Sequence, residues 1–209
     1  TTAPVPSTTT AGTYTYYVSQ TINGVESVLV PYTVTIKPIQ PTVADITYCQ
    51  NDIAVALTAS GTALKWYTVS TAGTATTIAP LPSTGTATST NYYVSQTVNG
   101  VESDRAALLV TITPTPATPS AISGVTTTAT GSSEIYSVPN DVNATGYVWI
   151  LPNSWTGTST VNTITAAIGL SGGQIKVKAL IGSCTSPVST LTVNILNVTN
   201  PPVTTDVTF

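Results

Sequence analysis

The sequence predicts an all-β fold of antiparallel β-sandwiches in tandem, joined by Pro-rich linkers at 37–41, 113–119 and 200–202. Short runs of β-branched and aromatic residues alternate with clusters of turn-forming residues, which is the pattern of strands. No segment shows the apolar period of about 3.6 residues that a helix requires. An internal repeat divides the chain into modules, and 209 residues are enough for two sandwiches of about 100 residues each.

The internal repeat has an offset of 76 residues. Residues 1–38 align without a gap to residues 77–114, and 23 of the 38 positions are identical. The centre of the match is YYVSQTINGVES in the first copy and YYVSQTVNGVES in the second. A shorter echo aligns PTVADITY at 41–48 with PVTTDVTF at 202–209. Both repeats indicate a window cut from a longer tandem array.

The repeats predict four segments. They are the C-terminal half of a module at 1–38, a complete module of the same kind at 39–114, a module of a different kind at 115–197, and the start of a further module of the first kind at 198–209. A half sandwich cannot bury its apolar face alone. We therefore expect the strands missing from the first segment to lie outside this sequence or to come from another chain.

Strands are predicted throughout both complete modules. Those of the first are 43–48, 53–58, 63–68, 90–98 and 105–112, and those of the second are 134–138, 146–151, 162–168, 173–181 and 189–196. Asn99-Gly100 predicts a two-residue type I′ turn because both residue types tolerate positive φ, and Asn23-Gly24 predicts the same turn in the first copy. Apolar residues alternate with lysines along 173–181, which predicts one buried face and one wet face.

Composition excludes several classes of function. The chain has no His, five Lys and Arg, and eight Asp and Glu. Without His the usual general base and the imidazole metal ligand are missing, and five basic residues do not make a nucleic-acid surface. We therefore predict no catalytic, cofactor-binding or metal-binding residues, no cofactor and no enzymatic activity. Because no run of about 18 apolar residues occurs, we predict no membrane insertion in this segment.

Three tryptophans and two cysteines are the remaining candidates for chemistry. Trp66 and Trp149 lie in predicted strands and Trp155 in a predicted loop. An exposed indole could stack on a sugar ring, but we expect all three to pack in the interior. Cys49 and Cys184 lie in different predicted modules, so we expect two separate thiols, with a long-range disulfide as the alternative.

The acidic residues are scattered. Glu26 and Glu102 occupy matching positions in the repeat, which predicts a role in the hairpin rather than in catalysis. Catalytic carboxylate pairs of glycosidases lie about 5 to 9.5 Å apart in a cleft, and no such pair is evident. The aspartates are isolated in sequence, and a calcium site at a module junction is the alternative that they leave open. They are Asp45, Asp52, Asp104 and Asp141.

Several sequence motifs resemble known families. Residues 39–114, with TYCQND, LKWYTVSTAGT and YYVSQTVNGVES, resemble the Ig-like domains of Bacteroidetes surface proteins. Residues 116–196, with SAISG, YSVPN, GYVWILPNSWTGTST and SGGQIKVKA, resemble the PKD-like domains found beside them. Relatives often carry a further Cys where this chain has Val25, Val101 and Ala129, so neither module is expected to have the disulfide of its relatives.

The resemblance implies a function in reach rather than in chemistry. Such modules form tandem stalks in very large proteins exported by the type IX system, including adhesins and multidomain polysaccharidases. We expect an extracellular or cell-surface stalk segment whose partners are neighbouring modules, with surface polysaccharide or another cell bound through a distal domain. The alternatives are accessory modules of a secreted polysaccharide-degrading enzyme, and a fibre subunit completed by strand addition with 202–209 as the donor.

Overall fold

The computed structural model describes residues 5–196. The predicted module start at 198–209, with the candidate donor strand 202–209, therefore lies outside the described residues. The chain divides into two compact units, with the boundary between Ile112 and Thr113. Every regular element of the described residues is a β-strand, which confirms the predicted all-β class.

The N-terminal unit contains strands from two hairpin regions and a short central part. In chain order they are β1 (Gly12–Val18), β2 (Thr21–Ile22), β3 (Val25–Glu26), β4 (Val30–Ile36), β5 (Ile46–Cys49), β6 (Lys65–Tyr67), β7 (Thr88–Ser95), β8 (Thr97–Val98), β9 (Val101–Glu102) and β10 (Ala106–Thr113). One four-stranded sheet has the order β5-β10-β7-β6, while β1 pairs with β4, β2 with β3, and β8 with β9.

The core of the N-terminal unit lies on the four-stranded sheet. Its buried residues come from β6, β7 and β10 and from one irregular segment that covers them. They are Leu57, Trp66, Val94, Ala106, Leu108, Val110 and Ile112. Alternate residues of β10 supply four of these seven, because successive side chains of a strand point to opposite faces.

The sequence repeat is also a repeat of structure. Strands β1, β2, β3 and β4 correspond in order to β7, β8, β9 and β10, each about 76 residues later in the chain. The register is the same in both copies, since β1 pairs Val18 with Val30 and β7 pairs Val94 with Ala106. The same local sequence therefore folds into the same hairpin twice.

The predicted type I′ turns are present in both copies. Asn99 and Gly100 have φ values of 49° and 76°, and Asn23 and Gly24 have 50° and 79°. Each pair joins two short antiparallel strands. Asn tolerates this left-handed region better than most residues, and Gly enters it without steric cost.

Gly100→Ala is expected to lower the free energy of unfolding of the N-terminal unit by about 1–2 kcal/mol. A Cβ there meets no atom within 4 Å, so the cost comes from the positive φ alone. The matched control is Gly85→Ala, where the added Cβ also meets nothing within 4 Å but φ is not positive. Urea denaturation should separate the two variants, and equal midpoints would contradict the turn assignment.

The predicted strand at 53–58 is wrong. Ile53 and Val55 are exposed, and only Leu57 is buried in this segment. The segment runs beside 80–84 and makes single bonds to it, such as Leu57 N to Pro80 O at 2.9 Å. Pro80 and Pro82 have no N–H group, so a continuous ladder of hydrogen bonds cannot form here.

The C-terminal unit is a sandwich of two sheets. Its strands are β11 (Thr127–Thr128), β12 (Ser133–Ser137), β13 (Gly146–Ile150), β14 (Thr163–Ala167), β15 (Gly173–Ile181), β16 (Cys184–Thr185) and β17 (Ser189–Ile195). One sheet has the order β11-β17-β15-β13, with β16 also paired to β15, and the other is β12-β14. The five strands predicted for this module are all present, with ends that differ by at most one residue.

The core of the C-terminal unit lies between its two sheets. The buried side chains come from both, including Tyr136 and Ile164 from one sheet and Ile175 and Val193 from the other. Along β15 the buried residues alternate with lysines, as predicted. Each unit thus has a hydrophobic core formed by its own residues.

Candidate functional site

The aspartates of the described residues serve the fold. None of the described residues forms a group of three or more His, Cys, Asp or Glu side chains that could hold a metal ion. Each aspartate instead bonds a nearby group. Asp45 accepts from Leu109 N, Asp52 from Cys49 N, and Asp141 from Asn143 N, while Asp104 pairs with Lys37. These bonds hold strand edges and turns in place.

The tryptophans largely confirm the expectation of packing. Trp66 and Trp155 are 2% and 6% exposed, so neither offers a platform for a sugar ring. Trp155 lies against Tyr136 with ring centroids 6.4 Å apart, and its Nε1 donates to Ser171 O at 2.8 Å. Trp149 is half-buried, and its Nε1 donates to Val161 O at 2.9 Å.

Two further features of the described residues are a buried tyrosine and a shallow surface depression. Burial of Tyr136, with a smaller contribution from the charge of Glu134, raises the pKa of its hydroxyl. A shallow depression in the C-terminal unit is lined by uncharged residues. They are Leu170, Ser171, Gly172, Gly173, Thr192, Asn194 and Ile195.

Neither Cys49 nor Cys184 is a free thiol. The expectation of two separate thiols is therefore wrong. It rested on their separation along the chain, which does not by itself fix the distance between two residues in a folded protein.

The most organised polar cluster of the described residues surrounds Glu102. This carboxylate lies on β9 and accepts from Lys65 Nζ at 2.8 Å, from Tyr67 Oη at 2.5 Å and from Ser95 Oγ at 2.6 Å. Arg105 lies over the ring of Tyr67, with its guanidinium carbon 3.3 Å from the ring centroid. We call these five residues the Glu102 cluster.

The electrostatics of the Glu102 cluster favour the ionised carboxylate. Partial burial opposes ionisation of Glu102, but the hydrogen bonds from Lys65, Ser95 and Tyr67 and the charge of Lys65 outweigh it and lower the pKa to about 2. The hydrogen bond from Lys65 to Glu102 raises the pKa of the Lys65 ammonium in turn. Both groups are charged near neutral pH, so Glu102 and Lys65 form an ion pair that acts as a clamp between β6 and β9.

The clamp joins the two halves of the module. Lys65 and Tyr67 lie on β6, while Ser95 and Glu102 lie on the hairpin that the repeat carries. The sequence predicted a hairpin role for Glu102, and the contacts confirm it. Lys65 and Tyr67 were not predicted, because only the pairing of β6 with β7 brings them to the carboxylate. The sequence signal that could have linked Lys65 and Tyr67 is their spacing, since residues two apart in a strand lie on the same face.

Neighbouring Gln96 makes a second link between the halves. Its Oε1 accepts from Thr62 N at 2.9 Å, and its Nε2 donates to Ile39 O at 2.9 Å. Its backbone N–H donates to Ser103 Oγ at 3.0 Å. Together with the Glu102 cluster, the two side-chain bonds of Gln96 to Thr62 and Ile39 fasten the hairpin to the half of the module that precedes it.

The N-terminal copy of the hairpin carries the same polar residues without the covering half. Ser19 Oγ donates to Glu26, as Ser95 Oγ does to Glu102. Gln20 N donates to Ser27 Oγ at 3.1 Å, as in the second copy. Here Gln20, Glu26 and Ser27 are exposed, whereas Gln96 and Ser103 are buried. Among residues 5–196, the hydrogen bonds of Ser19, Gln20, Glu26 and Ser27 side chains stay within the first hairpin, and none of them reaches a second half-module.

The apolar face of this first hairpin is also exposed. Val18 is 60% exposed where its equivalent Val94 is 0%, and Tyr32 is 65% exposed where Leu108 is 0%. The same contrast holds for other members of the face. Val25 and Val30 are exposed, and their equivalents Val101 and Ala106 are buried. We call the hairpin β1 to β4 with this face the open hairpin.

Two family models match the chain, one after the other. Residues 38–114 match the model described as "Ig-like domain CHU_C associated". Residues 115–195 match the model described as "PKD-like domain". Domains of both kinds are typically non-catalytic modules and are typical of extracellular proteins. These matches confirm the resemblance of the two modules. No curated protein matches the chain.

Solved structures resemble the chain only distantly. A crystal structure of the FN1–FN3 domains of chicken CNTN1 has 13% identity and a TM-score of 0.44, covering 88% of this chain and 75% of that one. The crystal structure of domains A168–A170 of titin has 13% identity and a TM-score of 0.45, covering 89% of this chain and 75% of that one. A third structure is SGBP-B of a Bacteroides ovatus mixed-linkage glucan utilization locus, in complex with a mixed-linkage heptasaccharide. It has 15% identity and a TM-score of 0.24, covering 78% of this chain and 46% of that one. At these values the likeness carries no information on function.

Within residues 5–196, no helix has the length and apolarity needed to cross a membrane.

Proposed function

We propose that this chain, which carries an Ig-like domain followed by a PKD-like domain, is a non-enzymatic stalk segment of a large cell-surface or secreted protein. The observation that carries the proposal is the recurrence of one hairpin, in the same register, at an offset of 76 residues. Repetition of a unit adds length without adding chemistry, since each repeat contacts only its neighbours.

The use of the polar side chains supports this proposal. Glu102, Lys65 and the four aspartates named above bond groups of their own unit. Their charges therefore stabilise the fold of that unit. Pro-rich segments at 37–41 and 113–119 join the modules, and Pro-rich linkers act as semi-rigid spacers. A stalk needs both properties, because its modules must keep their fold and their spacing.

The proposal extends to context and to segment boundaries. The parent is an adhesin of a Bacteroidetes cell, exported by the type IX system, and its partners are neighbouring modules and a surface polysaccharide or another cell bound by a distal domain. Its segments are the half module 1–38, the Ig-like module 39–114, the PKD-like module 115–197 and the next module start at 198–209. The resemblance of the sequence motifs supports the context, and the repeat supports the segments.

A tandem duplication of the whole chain tests the stalk by its length. A stalk predicts that the maximum dimension in small-angle X-ray scattering nearly doubles from one copy to two. A compact globule would grow by only about 1.3-fold, since its size scales with roughly the 0.38 power of chain length. The matched control replaces Pro114, Pro116 and Pro119 with Gly, which softens the linker and should shorten the doubled chain.

The same preparation distinguishes the alternatives. Binding of the chain itself to polysaccharide on a glycan array would favour the accessory-module reading and contradict a pure spacer. A doubled chain no longer than the compact-globule value would contradict the stalk outright.

A further inference from the structure

The open hairpin has two unpaired strand edges within the described part of the chain. In the complete module, β7 pairs with β6 on one side, and β10 pairs with β5 on the other. Their equivalents β1 and β4 pair only with each other. A two-stranded hairpin with exposed apolar residues is marginally stable in water, so this surface calls for a covering segment.

The complete module shows which chemistry covers such a hairpin. Against β7, strand β6 places Lys65 opposite Ser95, Trp66 opposite Val94 and Tyr67 opposite Tyr93. Trp66 fills the apolar face, while Lys65 and Tyr67 bond Glu102. A strand with the pattern Lys-aromatic-Tyr therefore supplies an aromatic side chain that covers the apolar face of the hairpin. It also supplies a lysine and a tyrosine hydroxyl that bond the carboxylate.

The open hairpin repeats the residues that receive this strand. Val18, Ser19, Gln20 and Glu26 are identical to Val94, Ser95, Gln96 and Glu102. In the second copy, Val94 and Ser95 lie opposite Trp66 and Lys65 of β6. Gln96 accepts from Thr62 N, and Glu102 accepts from Lys65 Nζ. The exposed carboxylate of Glu26 is the complement of a lysine, and the face around Val18 is the complement of an indole.

One position differs in a way that shapes the occupant. Arg105, which stacks on Tyr67 in the complete module, corresponds to Leu29 in the open hairpin. Leu29 is exposed and aliphatic. The aromatic ring that replaces Tyr67 in the occupant would thus pack on an alkyl chain instead of a guanidinium.

A second copy of this chain is a poor source for the covering strand. Its own β6 is already paired with β7, and its Trp66 is 2% exposed. Donating that strand would open a completed module. A preceding segment of the same polypeptide has no such cost, because it joins the hairpin as residues 39–76 join residue 77, and closure within one chain benefits from a high effective concentration.

We infer that the open hairpin binds a first half-module that precedes it in the same polypeptide, and that this half-module carries a Lys-aromatic-Tyr strand which pairs with β1 and clamps Glu26. The inference rests on the modular array proposed above and names the chemistry at one junction of that array. It assigns Glu26 the role of receptor for a lysine and a tyrosine hydroxyl, as Glu102 has in the complete module.

A chimera tests this inference with the chain's own residues. Residues 39–76 are fused directly before Thr1 of the full chain, which reproduces the natural junction between residues 76 and 77. Amide hydrogen exchange of β1 and β4 should slow by roughly tenfold or more relative to the unmodified chain. The tryptophan of the graft should emit at the shorter wavelength of a buried indole.

Matched variants separate a specific clamp from non-specific collapse. Trp66→Ala or Lys65→Ala in the grafted copy alone should abolish most of the added protection. Glu26→Gln should reduce protection in the chimera much more than it changes the exchange of the unmodified chain, because Gln can still accept the hydrogen bond from Ser19 Oγ. A graft of the same composition in scrambled order should give no protection.

Three results would overturn the inference. They are unchanged exchange in β1 and β4, equal protection by the scrambled graft, and protection that appears in the unmodified chain on concentration-dependent dimerisation. Protection that depends on dimerisation would show that a second copy of the chain covers the hairpin. None of them bears on the length of the doubled chain, so failure here and failure of the stalk proposal can be told apart.

Discussion

Trp66→Ala is expected to cost the N-terminal unit about 3–5 kcal/mol of its free energy of unfolding, a large part of the 5–15 kcal/mol typical of a domain. Trp66 is 2% exposed and packs among residues of β7 and β10. Its backbone also exchanges hydrogen bonds with Thr76 at 2.8 and 3.0 Å, which the substitution leaves in place. The loss thus reports on the indole alone. Hydrogen exchange of the β10 amides in the full chain is the measurement.

Trp155→Ala is the matched control in the other unit. Trp155 is 6% exposed and belongs to the core of the C-terminal unit. Its loss should speed exchange in β15 and leave β10 unchanged, while Trp66→Ala should do the reverse. Faster exchange in both units from either variant, or no change in β10 from Trp66→Ala, would contradict the assignment of separate cores.

The hairpins could be predicted from sequence because their information is local. Asn-Gly fixes a two-residue turn, and the turn fixes the register of the residues beside it. The repeat then transferred the prediction from one copy to the other. The alternation along β15 was predicted for the same reason, since a period of two needs no knowledge of distant residues.

Residues 53–58 could not be predicted in this way. Their alternation of apolar residues fits a strand, yet only Leu57 enters the core. What decides the outcome is the neighbour at 80–84, about 25 residues later in the chain, whose prolines cannot donate to a ladder. A strand pattern predicts a strand only where a partner with free backbone groups lies beside it.

The Glu102 cluster was half predicted for a related reason. Recurrence marked Glu102 as part of the hairpin, but Lys65 and Tyr67 come from 37 and 35 residues earlier. They reach the carboxylate through the pairing of β6 with β7. Local sequence patterns do not predict which distant strands pair. The sequence indicated that a half module cannot bury its apolar face alone, and the face of the first hairpin is exposed within the described residues.

Glu102→Gln is expected to lower the free energy of unfolding of the N-terminal unit at pH 7 by about 1–2 kcal/mol. A hydrogen bond to a charged group contributes about 1.5–3 kcal/mol, and the partial exposure of this ion pair reduces the effect through solvent screening. Its side chains are 37% and 33% exposed. Gln keeps the shape and can still accept hydrogen bonds, so the loss measures the charge. Urea denaturation at pH 7 checks the value.

The pH dependence of the same variant gives a sharper test. The folded pKa of Glu102 is about 2, below its ordinary value of 4.5. Because the folded state holds the carboxylate more tightly ionised than the unfolded state does, this stabilisation is fully present above pH 4.5 and is lost as pH falls toward 2. The difference in stability between wild type and Glu102→Gln should therefore shrink across this window and vanish near its lower end.

Glu26→Gln is the matched control for this pH test. It changes the equivalent carboxylate of the open hairpin, which Lys65 and Tyr67 do not reach. Its effect on the unmodified chain should stay within about 0.5 kcal/mol, as for ordinary surface substitutions. A constant difference between wild type and Glu102→Gln from pH 7 to pH 2 would show that the variant acts through packing. The clamp would then owe its strength to shape, and the lysine demanded of a covering strand at Glu26 would lose its physical basis.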